Sequence, residues 1–156
     1  GMNRSFLSED WKNIIKRKYW YEAMDEANDL LDDTVKVDIQ GYDIDGDIVK
    51  AARANAQSAG VDHMIHFQQR PVNALSHPKK YGFIISNPPY GERMFKKSEA
   101  ERLYREMRTA FDALSGWRKS IITAYPEFER VYGRRAEKRR KLSNGGMPCT
   151  LYQYFR

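Results

Sequence analysis

The amino-acid sequence predicts an α/β fold in which a mainly parallel sheet is flanked by helices and finished by an antiparallel carboxyl-terminal hairpin. Three observations point to it. Short runs rich in Val, Ile and Phe alternate with longer stretches whose apolar residues recur every three or four positions, the β-α rhythm of an open sheet. The dipeptide Asn144-Gly145, favoured in two-residue hairpin turns, separates two strand-like runs near the carboxyl end. The chain has 156 residues, 41% of them hydrophobic, with neither repeat nor linker composition, which suits one domain with its own core.

Each element has a local reason. Ser8 before Glu9 and Asp10 offers an N-cap with an acidic first turn, and apolar residues from Trp11 to Leu31 keep a helical period, so one amphipathic helix is expected over 9–31. Asp32, Asp33 and Thr34 end it, making 1–34 a helical amino-terminal segment ahead of a β/α core over 35–156. Val35, Val37 and Ile39 alternate with polar residues and predict a strand over 35–42 that runs into an acidic turn at Asp43. A helix over 47–58 follows, stopped by Gly60, and then a short strand over 64–68. Phe83, Ile84 and Ile85 predict a buried strand within 81–86, cut off by Asn87 and two prolines. Beyond it come a helix over 100–114, a buried strand over 119–124, a short helix over 127–132 and the hairpin, whose last strand over 150–155 should run antiparallel to its partner.

Composition excludes several classes. No apolar run approaches the roughly 20 residues of a membrane-spanning helix. The single cysteine, Cys149, rules out an internal disulfide or a Cys-cluster metal site, and His63, His66 and His77 lack ligand spacing, so no metal is expected. With no signal-type apolar stretch at its start, the chain is expected in a reducing cytoplasm. The formal net charge of +6 is unevenly spread. Residues 1–78 hold 9 Lys and Arg against 13 Asp and Glu, whereas 79–156 hold 18 against 8, and six of the eight residues in 134–141 are basic. The second half suits a polyanion; the plainer alternative is a solvated basic face.

The chemistry is concentrated in Asn87-Pro88-Pro89-Tyr90, at the carboxyl end of a strand, where open α/β sheets bind ligands. Two prolines stiffen the loop and remove two donors, leaving its carbonyls to accept hydrogen bonds from outside. An exocyclic nucleobase amine is a poor nucleophile because its lone pair is delocalised into the ring. The Asn87 side-chain oxygen and the Pro88 carbonyl can each accept one of its hydrogens and hold the nitrogen for in-line attack, while Tyr90 offers a stacking face for an extruded base. The competing reading is an ordinary strand-to-loop turn. Asp43, at the end of another strand, can accept both hydroxyls of a ribose, or it can simply hold the turn into the next helix.

With these residues in view, the chain resembles a class I S-adenosylmethionine-dependent methyltransferase, and more narrowly the THUMP-associated RNA guanine-N2 methyltransferases. The segments that carry the resemblance are Gly41-Tyr42-Asp43-Ile44-Asp45, Asn87-Pro88-Pro89-Tyr90-Gly91-Glu92-Arg93, Lys141-Leu142-Ser143-Asn144-Gly145 and Leu151-Tyr152-Gln153-Tyr154-Phe155. It implies a Rossmann-like sheet, S-adenosylmethionine as cofactor and RNA, in particular ribosomal RNA, as partner. Asp43, Ile44, Asn73 and Asn87 would line the cofactor, with Asn73 standing where the family usually has an aspartate. Asn87, Pro88, Pro89 and Tyr90 would receive the target amine. Arg93, Lys96, Lys97, Arg139, Arg140 and Lys141 would meet RNA phosphates. Adenine-N6 methylation of DNA or RNA satisfies the same loop geometry, and a noncatalytic RNA-binding remnant is the alternative from outside enzymology.

One family feature has no counterpart. Ahead of Gly41 the sequence holds only Gly1, so the family's first strand and glycine-rich cofactor loop are lacking, as is a THUMP domain. The chain therefore reads as the carboxyl-terminal part of a catalytic domain, with impaired or absent cofactor binding expected of these residues alone. The lost strand normally lies between the strands ending at Asp43 and Asn87, so two sheet edges are expected to be open, to pair with each other or with a second copy in a homodimer.

Overall fold

The computed structural model describes residues 5–32, 34–91 and 97–155. The chain divides into two compact units, one of residues 1–41 and 46–68, the other of 42–45 and 69–156.

The first unit contains a 3-10 turn at Leu7–Asp10, helix α1 at Arg17–Asp29, most of strand β1 at Ile39–Asp43, helix α2 at Gly46–Ser58 and most of strand β2 at Ile65–Gln69. The single helix expected over 9–31 is thus broken into two pieces. Ser8 does not cap it: the Phe6 amide donates to Glu9 Oε1 at 2.9 Å, which closes the 3-10 turn one step earlier. Short-range turns then carry the chain to Lys16, and the β-branched pair Ile14-Ile15 lies in that break. No residue of α1 is buried, so its apolar stripe has no packing to extend it. The strand expected over 35–42 is likewise shortened to β1, because a ladder extends only as far as its partner and β2 has five residues. Helix α2 matches its expected span and buries Val49 and Ala56.

The second unit is built on a four-stranded mixed sheet of β3 (Gly82–Ser86), β4 (Trp117–Thr123), β5 (Lys138–Asn144) and β6 (Met147–Tyr154), in the order β3-β4-β6-β5. Strands β3 and β4 are parallel, and β6 runs antiparallel to both β4 and β5. Helices α3 (Lys97–Asp112) and α4 (Phe128–Tyr132) supply the core over one face. Ile121 pairs with Tyr152 and Lys119 with Tyr154 on that face, and both tyrosines join Tyr104, Phe111, Phe128 and Tyr132 in a largely aromatic core.

Two expectations change here. The strand read as buried is covered on one face alone: Ile84 packs on the core, whereas Phe83 and Ile85 are 72% and 84% exposed. The alternation of a strand sends these side chains to the opposite face, and β3 is the end strand of its sheet, with no partner on its outer edge among the described residues. The hairpin turn is Gly145-Gly146 rather than Asn144-Gly145. Asn144 makes the last cross-strand pair, with Met147, and the two turn positions require positive φ, +56° and +83°, which glycine adopts without strain.

The aromatic core makes stability sensitive to alkali. Burial pushes the hydroxyls of Tyr125 and Tyr132 up to about 12, and Tyr154 is pushed up as well. The folded state therefore holds protons that the unfolded chain releases near pH 10, so the stability from these neutral tyrosines is complete below pH 10 and is lost on rising towards 12. Thermal melts at pH 9, 10, 11 and 12 should show Tm falling over that interval. Tyr132→Phe should make the fall shallower.

Candidate functional site

Strand β3 ends at Ser86 and the chain leaves it as Asn87-Pro88-Pro89-Tyr90. Pro88 is buried, Asn87 and Pro89 are exposed, and Tyr90 is half-buried. The Tyr90 hydroxyl donates to Asn87 Oδ1 at 2.7 Å, closing the loop on itself. From the hairpin, Asn144 Nδ2 lies 3.5 Å and Cys149 Sγ 3.8 Å from the same hydroxyl oxygen. Both act as donors towards it, so the one Tyr90 proton remains directed at Asn87. Burial pushes the Tyr90 hydroxyl up, the Asn144 contact opposes this and Cys149 adds to it; the group stays a neutral donor.

The loop is also anchored beneath. Tyr104, fully buried on α3, donates from its hydroxyl to the Pro89 carbonyl at 2.8 Å and lies 3.2 Å from Thr123 Oγ1 at the end of β4. Neither Tyr104 nor the two hairpin residues that reach Tyr90 stand out in the sequence as site residues. One signal for Tyr104 is legible there: it stands one turn before Met107 on the apolar face of its helix, and a tyrosine in a core stripe brings a hydroxyl that needs a partner.

Of the residues expected at the cofactor, Asp43, Ile44, Asn73 and Asn87 all fall in the second unit. Asp43 is half-buried at the end of β1, where its Oδ1 accepts the Asp45 amide at 2.9 Å and its backbone carbonyl accepts the Arg70 amide at 2.8 Å. The turn-holding role weighed for Asp43 is therefore present. A carboxylate has acceptor capacity on two oxygens, so this role does not preclude ribose binding. The Ile44 carbonyl is held by Gln69 Nε2 at 2.9 Å while its side chain is 69% exposed. Asn73 is exposed on a 3-10 turn, Val72–Ala74, and Val72 and Leu75 on either side of it pack on the aromatic core.

The basic residues are less uniform. Arg93 and Lys96 lie outside the described residues. Lys97 pairs with Glu127 at 3.7 Å, and Arg139 with Glu129 at 2.8 Å. Arg140 and Lys141 are exposed on β5, on opposite faces of that strand. No group of His, Cys, Asp and Glu among the described residues is arranged to hold a metal ion, and no helix among them is long and apolar enough to cross a membrane.

An Asn-Pro-Pro-Tyr loop at the end of a strand of the four-stranded sheet, and a carboxylate at the end of a strand of the separate β1-β2 sheet, are elements of a methyltransferase domain. Comparison with known proteins agrees. The chain belongs to UPF0020, the RMKL-like methyltransferase domain family, which it matches over residues 4–153. It is 39% identical over 155 residues to the protein named "Putative RNA methyltransferase YpsC" of Bacillus subtilis (strain 168), a match covering 99% of this chain and 40% of that one. It is 38% identical over 117 residues to the ribosomal RNA large subunit methyltransferase K/L of Legionella pneumophila (strain Corby), covering 74% of this chain and 16% of the relative. The crystal structure of SMU.472, described as a candidate methyltransferase complexed with SAH, superposes with a TM-score of 0.90 at 36% identity, covering 99% of this chain and 41% of that one. The chain thus spans about two-fifths of the length of YpsC and of SMU.472.

Proposed function

We propose that this domain serves methyl transfer from S-adenosylmethionine to an exocyclic amine of a nucleobase in RNA, with N2 of guanine in ribosomal RNA as the target. The observation that carries this reading is the stiff Asn87-Pro88-Pro89-Tyr90 loop at a strand end, with Asn87 exposed and its amide oxygen oriented by Tyr90. That oxygen has a second lone pair for a substrate N–H, and the Pro88 carbonyl is the second acceptor. Holding both hydrogens of an aromatic amine favours its pyramidal form, in which the lone pair is localised for attack. The new N–C bond forms as the S–C bond breaks, and the proton left on nitrogen passes to solvent.

The residues at the other strand end fit the cofactor. Asp43 offers carboxylate oxygens for ribose hydroxyls, the exposed Ile44 side chain an apolar surface for a purine, and Asn73 an amide oxygen for a purine amine. When bound, the cofactor supplies an activated methyl group on a sulfonium.

The basic second half supports an RNA partner. Arg140 and Lys141 are the best placed, since Lys97 and Arg139 already have acidic neighbours. Replacing Arg139, Arg140 and Lys141 together by alanine should weaken RNA binding and lower the slope of log affinity against log salt by about two, most of it from the two freely exposed cations. Filter binding between 50 and 200 mM salt reads this directly, and an unchanged slope would remove β5 from the RNA surface.

The activity is tested by incubating ribosomal RNA and methyl-labelled S-adenosylmethionine with this chain, alone and joined to the part of YpsC that its match leaves uncovered. Digestion to nucleosides identifies the product. N2-methylguanosine is expected; N6-methyladenosine would overturn the guanine assignment, and RNA binding without incorporation in either form would overturn the enzymatic reading.

A further inference from the structure

The loop that would accept the amine is held by a buried hydroxyl relay whose direction is fixed by its chemistry. A carbonyl can only accept, so the single Tyr104 hydroxyl proton is committed to the Pro89 oxygen, 2.8 Å away. The 3.2 Å contact between Tyr104 and Thr123 must then run the other way, with Thr123 Oγ1 donating to the Tyr104 oxygen. Thr123 Oγ1 in turn accepts the Tyr125 backbone amide at 3.1 Å. The order is Tyr125 N–H to Thr123, Thr123 O–H to Tyr104, and Tyr104 O–H to the Pro89 carbonyl. Thr123 and Tyr104 are 1% and 0% exposed, and aligned bonds of this kind polarise and strengthen one another in a low-dielectric interior.

The relay is aimed at one peptide group of the loop. The rings of Pro88 and Pro89 fix two φ angles, so clamping the Pro89 carbonyl towards the core narrows the orientations open to the Pro88 carbonyl just before it. Asn87 and Pro88 each precede a proline, which favours extended backbone at both, and in extended backbone neighbouring carbonyls point in different directions. The other side of the loop is tied by the Tyr90 hydroxyl to Asn87 Oδ1 at 2.7 Å. Tyr104 itself cannot shift to follow a moving loop. Its ring is held edge-on against Tyr125 and Phe128, with centroids 5.4 and 5.0 Å apart.

We propose that Tyr104 and Thr123 are positioning residues for methyl transfer: through the Pro89 carbonyl they set the two acceptor atoms, Asn87 Oδ1 and the Pro88 oxygen, at the geometry that captures the amine. This rests on the methyltransferase reading above. Neither residue reaches the substrate, so their loss should leave binding intact and slow the chemical step.

Two measurements separate this inference from the reading it rests on. In this chain, labelled with 13C and 15N, Tyr104→Phe should shift the Pro89 carbonyl and Asn87 side-chain amide resonances. Thr123→Val should shift the same signals in the same direction, and Thr123→Ser, which keeps the hydroxyl, should leave them near wild type. In the form joined to YpsC, Tyr104→Phe should lower kcat by about 10- to 100-fold with KM for RNA within about twofold, and Thr123→Ser should retain most of the activity that Thr123→Val loses. Unmoved loop resonances in both Tyr104→Phe and Thr123→Val, or an active wild type whose Tyr104→Phe keeps its kcat, would overturn the proposal. A wild type that transfers no methyl group overturns the functional reading instead, and shifted resonances would then assign the relay a purely architectural role.

Discussion

Asn87→Ala is expected to lower the rate of methyl transfer by about 10²- to 10³-fold, the usual cost of removing one preorganised group that acts on charge developing in a transition state. The side chain is exposed on a loop, so folding should change by less than about 1 kcal/mol. Its partner Tyr90 keeps the ring that would face the base, so RNA affinity should stay within a few-fold. The variant also leaves the Tyr90 proton without its acceptor, because Asn144 and Cys149 approach that hydroxyl as donors. Asn87→Asp separates the two losses. It keeps an oxygen for both Tyr90 and the amine, and should recover part of the rate lost in the alanine variant. Single-turnover kinetics at saturating RNA measure the chemical step apart from binding. An Asn87→Ala enzyme within a few-fold of wild type would show that the amide oxygen does not hold the amine.

How much of this is legible in the sequence depends on whether a residue's role is set by its neighbours in the chain. The loop 87–90 is legible because prolines fix their own backbone and an apolar run points to the strand before it. Helix α2, with its stop at Gly60, and the antiparallel final strand are legible for the same reason. The segment before β1 is not. A helical period over 9–31 states which side chains could share a face, but a face needs a surface to bury it, and α1 buries nothing. The run Phe83-Ile84-Ile85 reads as buried on both sides although one side of β3 is open, because apolar content does not reveal whether a sheet face is covered.

The site shows the same division. Asp43 is found at a strand end by pattern, and its bond to the Asp45 amide two residues on is equally local, but the company of Gln69 and Arg70 comes from pairing across residues far apart in the chain. Tyr104 and Thr123 are 15 and 34 residues beyond Pro89, on two different elements, and no local spacing joins them. The basic run 134–141 is conspicuous in the sequence, yet it divides in the structure: Arg134 and Arg139 are engaged by Glu137 and Glu129, while Arg140 and Lys141 stay exposed. Charge density marks the region, and the ion pairs decide which cations are left for a polyanion.

Phe128→Ala should be the most destabilising single truncation in the second unit, by about 3–5 kcal/mol. Phe128 is fully buried, and its ring lies 4.8 Å from Tyr152, 5.0 Å from Tyr104 and 5.1 Å from Tyr132 between centroids, so it joins β6, α3 and its own helix. The five-residue α4 is far too short to persist alone and exists because this ring and Val131 are packed. Domain stabilities are typically about 5–15 kcal/mol, and this sheet draws its core from one face, so the loss should be a large fraction of the total. At this chain length it corresponds to a fall in Tm of about 6–20 °C. The loss should also reach the loop, because Phe128 is one of the two rings that hold Tyr104 beneath Pro89. Ile85→Ser is the matched control: the side chain is as apolar in the sequence but lies on the open face, and its replacement should cost less than about 0.5 kcal/mol. Guanidinium unfolding of the two variants ranks them directly. Were Ile85→Ser the more costly of the two, the core would lie on the other face of the sheet, and the support ascribed to Tyr104 would go with it.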